Sequence, residues 1–263
     1  IDVKGARTIA EALVGKPRAD LVLLNDRDLS YTKVRLDPDS QRVVTENMAQ
    51  LVDPLARAVV WTSAWDTWRD AEMTSSDYLT LILSGLQTES DVTAIINQLR
   101  QAHLAVTRYA APGQRHQLRA RVVAGLAELL KTAQPGSDRQ LAVADGMISA
   151  VDSPAGAGLL EGWLTGEEVP EGLPIDTDRR WAILTTLARL GRIGTDQIDA
   201  EHDSDRTISG AESAAGARAA LADPQTKAGA WRLATDEVEI PNGTQVAIAA
   251  NFWKFGQEEL LNG

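Results

Sequence analysis

Three histidines are the side chains of this sequence best suited to metal binding or acid–base catalysis. His103 falls on the apolar face of a predicted helix, where a histidine is usually a hydrogen-bonded core residue. His116 lies near a predicted helix start and is expected to be solvated. His202 lies in the acidic stretch 199–205, which lacks the ligand spacing of a structural metal site. No histidine is followed by Glu and then by a second histidine four residues on, as in a zinc-protease helix. The sequence therefore predicts no catalytic residue, no metal ligand and no cofactor within its 263 residues.

The composition narrows the class of protein and the kind of partner. The chain has no cysteine, which excludes disulfides and thiolate metal sites and is consistent with a reducing, cytoplasmic compartment. The formal net charge is −11, and no cluster of Lys and Arg is present in the sequence. Neither a nucleic acid nor an anionic membrane surface is therefore an expected partner. No apolar run approaches the ~18 residues of a membrane-spanning helix, so no contact with a membrane is predicted.

The first 36 residues differ in pattern from the rest of the chain. Residues 21–24 form a short apolar run typical of a buried strand, and residues 29–36 resemble a second strand after a turn-rich break. Residues 6–14 are a candidate for a third strand. Two or three strands are too few to be stable alone, so we expect them to complete a sheet whose other strands are absent here or to rest on helices. A first residue that is Ile1 rather than Met suggests a piece of a longer protein.

From Asp37 onward the apolar residues follow a helical period. One predicted helix, opened by Asp53 and Pro54, carries Trp61, Trp65 and Trp68 at i, i+4 and i+7 and is apolar on most sides. Such a helix is expected to be buried between neighbours, although a row of indoles could instead form an aromatic binding groove.

About twelve helices joined by short connectors are predicted, which places consecutive helices antiparallel. No fixed sequence repeat is visible, so the predicted fold is mainly α, an irregular HEAT-like solenoid of antiparallel helix pairs preceded by two or three strands. Residues 145–205 hold thirteen acidic residues against four arginines, which predicts a negative region within this stack.

Four segments carry a resemblance to a known family. Asp20–Asp26, Leu29–Asp37 and Asp53–Trp61 are similar to the C-terminal part of zinc aminopeptidases of the aminopeptidase N family, and Arg179–Leu184 with Gly191 resembles an Arg-Trp helix of the same region. In that family a small β-sandwich passes into a large helical domain. The similarity covers nearly the whole chain and is most specific in its first third.

The resemblance implies that residues 1–37 are the last strands of a β-sandwich domain and that residues 38–263 are the helical C-terminal domain. Zinc would belong to the parent enzyme, because the family's Gly-x-Met-Glu-Asn and His-Glu-x-x-His motifs do not occur here. In the family this helical domain covers the catalytic chamber and limits access to peptides, so the implied partners are peptides and the missing catalytic and β-sandwich domains. The alternative function is a free-standing helical-repeat scaffold that binds another protein.

Arg180 is the one candidate for the substrate channel. It precedes Trp181, which leads the apolar side of a helix, and lies about 100° round that helix at the edge of the packed face. One interpretation is an ion pair with Asp176 one turn back. The other is that its guanidinium reaches into the peptide chamber and meets substrate carbonyls or a C-terminal carboxylate.

Overall fold

Side-chain caps define most of the helix starts in the computed structural model of this chain, which describes residues 2–235 and 240–261. The residue before the helix accepts a hydrogen bond from a backbone N–H of the first turn, a donor that has no partner inside the helix. The residues that cap in this way are Asp37, Asp53, Thr74, Asp91, Ser137, Ser153, Asp176 and Thr207. The helix start predicted at Asp53 and Pro54 is therefore confirmed.

Twelve α-helices lie in the described residues, and the prediction of a mainly α fold is confirmed there. They are α1 (Pro38–Asn47), α2 (Pro54–Arg69), α3 (Ser75–Gly85), α4 (Val92–Leu104), α5 (Arg115–Thr132), α6 (Asp138–Ala150), α7 (Pro154–Thr165), α8 (Thr177–Arg189), α9 (Thr195–Ser204), α10 (Ile208–Ala220), α11 (Pro224–Thr235) and α12 (Asn242–Phe252). A π-helical turn, Ala105–Tyr109, continues α4. In this part of the chain no helix has both the length and the apolarity needed to cross a membrane.

The helices from α4 onward pack in two layers. In one layer each helix contacts the helix two places further on, so that α4, α6, α8, α10 and α12 follow one another. The second layer consists of α5, α7, α9 and α11, and each of these helices packs on the helix that follows it. Two clusters of buried apolar side chains form the core, a large one from Val44 to Leu187 that includes residues of α1, α2 and α3, and a smaller one around Trp181 and Ala217.

The strands predicted at 21–24 and 29–36, and the candidate at 6–14, are not formed, since the described residues contain no β-strand. A strand needs a neighbour for its backbone hydrogen bonds, and here those groups bond to helices instead. The Val22 N–H donates to Ser40 Oγ at 2.9 Å, and the Val34 carbonyl accepts from Ser63 Oγ at 2.9 Å. Leu21, Leu23 and Leu36 pack against the helical core. The segment therefore rests on α1 and α2, the second of the two arrangements expected for it.

Two of the three tryptophans predicted to be core residues on α2 are fully buried. Trp61 is 5% exposed and Trp68 is 6% exposed, and the Trp68 ring stacks on Tyr78 with centroids 5.1 Å apart. Trp65 is only half-buried, and the Arg69 guanidinium lies 5.3 Å from its ring centroid. The prediction of a core helix is confirmed for Trp61 and Trp68, and it is wrong for Trp65, which lies at the edge of the core.

A buried ion pair joins α2 to the connector after α3. Glu89, which is 2% exposed, accepts hydrogen bonds from Arg57 Nε and Nη2, both at 3.0 Å, and from Trp61 Nε1 at 3.3 Å. The backbone N–H groups of Ser90 and Asp91 donate to the same carboxylate. Burial would raise the pKa of Glu89, but these hydrogen bonds prevail and lower it to about 2.

Candidate functional site

A cavity of about 230 Å³ lies where α4, α5, α6 and α8 meet the segment that follows α12. Its lining includes His103 from α4, Arg108 from the π turn, Arg119 from α5, Ser149 from α6, Thr185, Thr186 and Arg189 from α8, and Trp253, Lys254 and Phe255 from the last segment. Four of these side chains are permanently or ordinarily cationic, although the chain as a whole carries a formal charge of −11. We call this space the cationic cavity.

Asp152, at 12% side-chain exposure, is the carboxylate that contacts these cations. Its Oδ1 accepts a hydrogen bond from Arg189 Nη1 at 3.2 Å, and its Oδ2 lies 2.7 Å from His116 Nδ1 and 3.9 Å from Arg119 Nε. Arg189 donates further hydrogen bonds to the carbonyls of Val151 and Phe255. Through these three hydrogen bonds the Arg189 guanidinium ties α8 to the segment after α12.

The other three cations have fewer partners. Arg119, whose side chain is 3% exposed, donates from Nη2 to the Ser149 carbonyl at 2.9 Å, but its buried Nε has no hydrogen-bond partner among the described residues. The Arg108 guanidinium lies 4.1 Å from the Trp253 ring centroid. Lys254 is half-buried and forms no ion pair with any described residue. Positive charge in the cavity therefore exceeds the negative charge that contacts it.

The pKa values of these groups follow from that excess. Burial and the neighbouring cations, Arg119 first, lower the pKa of His103 to about 4. Burial together with Arg189 lowers the pKa of Arg119 to about 10 and that of Lys254 to about 8. Each shift disfavours the protonated form, as expected where like charges lie together out of bulk water.

His103 is not the satisfied core residue predicted from its position on an apolar helix face. Its side chain lines the cationic cavity, where neighbouring groups enclose part of the ring, and the rest of the ring is exposed to solvent. The apolar face of α4 is real but incompletely covered, since Ile96 on the same face is 53% exposed. A groove of about 670 Å³, lined by Ile96, Leu99 and Leu141, lies between α4 and α6 and opens onto the cationic cavity. Periodicity identified the face but could not show which part of it lacks a neighbour.

Arg180 forms a bidentate ion pair, but with a different partner from the one predicted. Its Nε and Nη2 donate to the two carboxylate oxygens of Glu201 at 2.7 and 2.6 Å, and its Nη1 donates to the Leu164 carbonyl at 3.2 Å. Asp176 pairs instead with Arg179, at 2.8 Å. The Arg180 side chain remains 36% exposed, so part of the guanidinium stays open to solvent.

The other two histidines do not form a site with their neighbours. His116 lies at the start of α5 with a side chain that is 74% exposed, as predicted, and His202 lies half-buried on α9. Within the ranges 2–235 and 240–261, no three His, Asp or Glu side chains come together in a way that could hold a metal ion.

The cationic cavity was not visible in the sequence, because its charges come from four separate elements. A weak signal was present in α5, where Arg119 directly follows Leu118 and lies three residues before Val122. That spacing places an arginine beside the buried face of the helix, and all three residues are buried. A charged residue at a core-facing position often indicates a binding or catalytic site. The sequence could not show which other cations would lie near Arg119.

Comparison with known proteins places the chain in a family. Residues 21–262 match the ERAP1-like C-terminal domain. The chain is also 43% identical over 261 residues to aminopeptidase N of Streptomyces lividans, an alignment that covers 99% of this chain and 30% of that protein. The chain thus spans about a third of the length of this relative and resembles its C-terminal part. On these matches the chain belongs to the family of ERAP1-like C-terminal domains.

Proposed function

We propose that this chain is the C-terminal helical domain of a zinc-dependent aminopeptidase, where it covers the catalytic chamber and limits the access of peptides. The observation that carries the proposal is the match of residues 21–262 to the ERAP1-like C-terminal domain, together with the similarity to a protein named aminopeptidase N. A covering domain of this kind controls which substrates reach the catalytic site and excludes bulk water from it.

The two-layer helix packing supports the proposed role as a domain that covers the catalytic chamber. Helices that contact the helix two places further on form an extended stack, and we propose that the stack curves in the manner of a HEAT-like solenoid. We propose residues 38–263 as the helical domain and residues 1–37 as the end of the preceding domain, with residues 21–36 packed against the helical core. Val3, Leu29 and Tyr31 are largely exposed in the first segment, which suits contact with the neighbouring domain of the parent enzyme.

In this proposal zinc is bound by another part of the parent enzyme and not by this chain. The described residues offer no converging set of metal ligands, so no step of the zinc chemistry is assigned to this chain. The isolated chain is accordingly expected to bind no catalytic zinc and to release no product from a chromogenic leucyl anilide. Metal analysis after dialysis and the anilide assay check this, and stoichiometric zinc with chelator-sensitive turnover would overturn it. A cytoplasmic location for the parent enzyme likewise stays a prediction.

Arg180 provides the test of the covering role in the full-length enzyme. We propose that the part of its guanidinium left exposed beside the Glu201 pair contacts long peptides in the chamber, since guanidinium N–H donors suit carbonyl and carboxylate oxygens. Arg180→Ala should raise KM for a peptide of about ten residues several-fold and leave the kinetics on a dipeptide unchanged, because only the longer peptide reaches a remote contact.

Arg192→Ala is the matched control, because Arg192 forms a similar bidentate pair with Glu161 on an exposed surface. The thermal unfolding of both variants shows whether the loss of the ion pair disturbs the fold. Equal kinetics of the Arg180 variant on the short and the long peptide would leave Arg180 a structural residue and remove this support for the covering role.

A further inference from the structure

The cationic cavity holds more positive charge than its contacts neutralise. Arg108, Arg119, Arg189 and Lys254 line it, whereas Asp152 is the carboxylate in contact with this group, through Arg119 and Arg189. Asp152 also lies against His116, so its single charge is shared. Buried like charges are costly unless a counter-charge is supplied, and the described residues supply only one.

The donors left open are arranged on several sides of the cavity. Arg119 keeps an Nε without a hydrogen-bond partner in the described part of the chain, and Lys254 has no ion-pair partner there. Arg108 is exposed and is held against Trp253 from the opposite segment. His103 faces the same space with part of its ring exposed. Cationic donors that converge from separate elements are suited to an anion with several oxygen atoms.

We propose that the cationic cavity is a binding site for a small, multiply charged oxyanion such as inorganic phosphate. A volume of about 230 Å³ admits a tetrahedral oxyanion with a few water molecules but not a folded partner. A dianion compensates more of the excess charge than chloride does, and its four oxygens accept hydrogen bonds from several donors at once. Because the cavity joins α4, α5 and α8 to Trp253–Phe255, a bound anion holds the C-terminal segment on the helical stack.

The lowered pKa of His103 supports an anion-binding site in the cationic cavity. The pKa of His103 is lowered by burial and by four cations that face it from other positions, namely Arg119, Lys254, Arg189 and Arg108. The carboxylate that opposes them, Asp152, contacts Arg119 and Arg189 but is not among the residues that line the cavity. An anion in the cavity would offset these charges and raise the pKa of His103 towards its ordinary value.

Binding to the 263-residue chain tests the proposal without any assay of peptidase activity. Phosphate should raise the unfolding temperature more than sodium chloride of equal ionic strength, and it should shift the imidazole titration of His103 upward in an NMR experiment. His202 serves as the internal control, since it lies on α9 and does not line the cavity. A phosphate effect equal to that of chloride, or a His103 titration that does not move, overturns the site.

The variant Lys254→Met separates a binding site from a general salt effect. It removes one cation and keeps a flexible unbranched side chain that is one heavy atom shorter, so the ligand-free protein should be at least as stable as the wild type because repulsion is relieved. Its affinity for phosphate should fall about tenfold, the value of one charge-assisted hydrogen bond. Lys131→Met, at a residue whose side chain is 68% exposed, is the matched control and should bind phosphate as the wild type does. Equal loss in the two variants, or none in either, contradicts the proposal.

Discussion

Glu89 shows how a buried charge can stabilise this protein through a complete set of partners. Arg57, Trp61 and two backbone N–H groups contact its carboxylate, and Arg57 also donates to the carbonyls of Leu51 and Val52. The pair therefore fixes the end of the α1–α2 connector against the α3–α4 connector. Removing one partner of such a pair leaves an uncompensated charge in the interior, which is usually strongly destabilising.

We expect Glu89→Gln to lower the free energy of unfolding by about 3–5 kcal/mol at neutral pH, because Arg57 loses its counter-charge. The folded pKa of Glu89 is about 2 and its ordinary value is 4.5, so the wild type keeps this stabilisation above pH 4.5 and loses it as the pH falls towards 2. The variant should therefore lose less stability over that interval. Denaturant unfolding at several pH values measures both effects.

Glu161→Gln is the control for this experiment, since its pair with Arg192 is exposed and such pairs contribute about 0–1 kcal/mol. If both variants lost the same free energy of unfolding, the buried Glu89 network would stabilise the protein no more than the exposed pair of Glu161 and Arg192 does.

At the residue scale the sequence predicted local partners well and distant partners poorly. The caps at Asp53, Thr74 and Asp176 follow from the residues themselves, because cap and helix are adjacent in the chain. For Arg180 the ion-pair partner that the sequence offered was Asp176, whereas the partner in the structure is Glu201 in α9, the next helix along the chain. Ion pairs between elements depend on packing that a single sequence does not specify.

The contact between α2 and α3 depends on a glycine. A Cβ atom at Gly85, the last residue of α3, would lie 2.3 Å from Cη2 of Trp61 and 2.7 Å from Cγ of Met48. Both neighbours are buried, and the rigid indole cannot move without displacing the core. The absence of a side chain at position 85 is what allows Trp61 to lie under α3.

We expect Gly85→Ala to destabilise the protein by about 1–3 kcal/mol, the usual cost of overpacking a core. Gly158→Ala is the matched control, because Gly158 also lies in a helix but has no atom within 4 Å of the position of a Cβ. There alanine should be neutral or stabilising by about 0.5–1 kcal/mol through its helix propensity. Thermal unfolding compares the two, and equal shifts of the same sign would contradict the packing argument.

At the element scale the helices were predictable and the strands were not. Caps, proline positions and a 3.6-residue period are properties of each helix segment, so the sequence predicted about twelve helices and the start of α2 at Asp53 and Pro54. An apolar run such as residues 21–24 has no such internal check, because a strand exists only through its pairing partner. In this structure the same residues lie on helices, and their apolar side chains are buried without a sheet.

Over the whole molecule, burial begins where the family match begins. Residues 2–20 are exposed apart from Ala10, and Arg18 forms surface ion pairs with Asp37, the cap of α1, and with Asp39. From residue 21 onward the chain contributes to the core, and the match to the ERAP1-like C-terminal domain also starts at residue 21. The segment 21–36 is therefore part of the folded unit although it contains no regular secondary structure.

Two truncations test this boundary. A chain that starts at residue 21 should unfold within a few degrees of the intact protein, since exposed ion pairs contribute only about 0–1 kcal/mol. A chain that starts at Asp37 should be less stable by about 2 kcal/mol or more, because it loses the buried Val34 and the hydrogen bond from Ser63 Oγ to the Val34 carbonyl. Differential scanning calorimetry measures both chains. An equal loss of stability in the two truncated chains would show that residues 2–20 contribute to the fold. An unchanged unfolding temperature in both would show that the packing of residues 21–36 on α1 and α2 does not stabilise the protein.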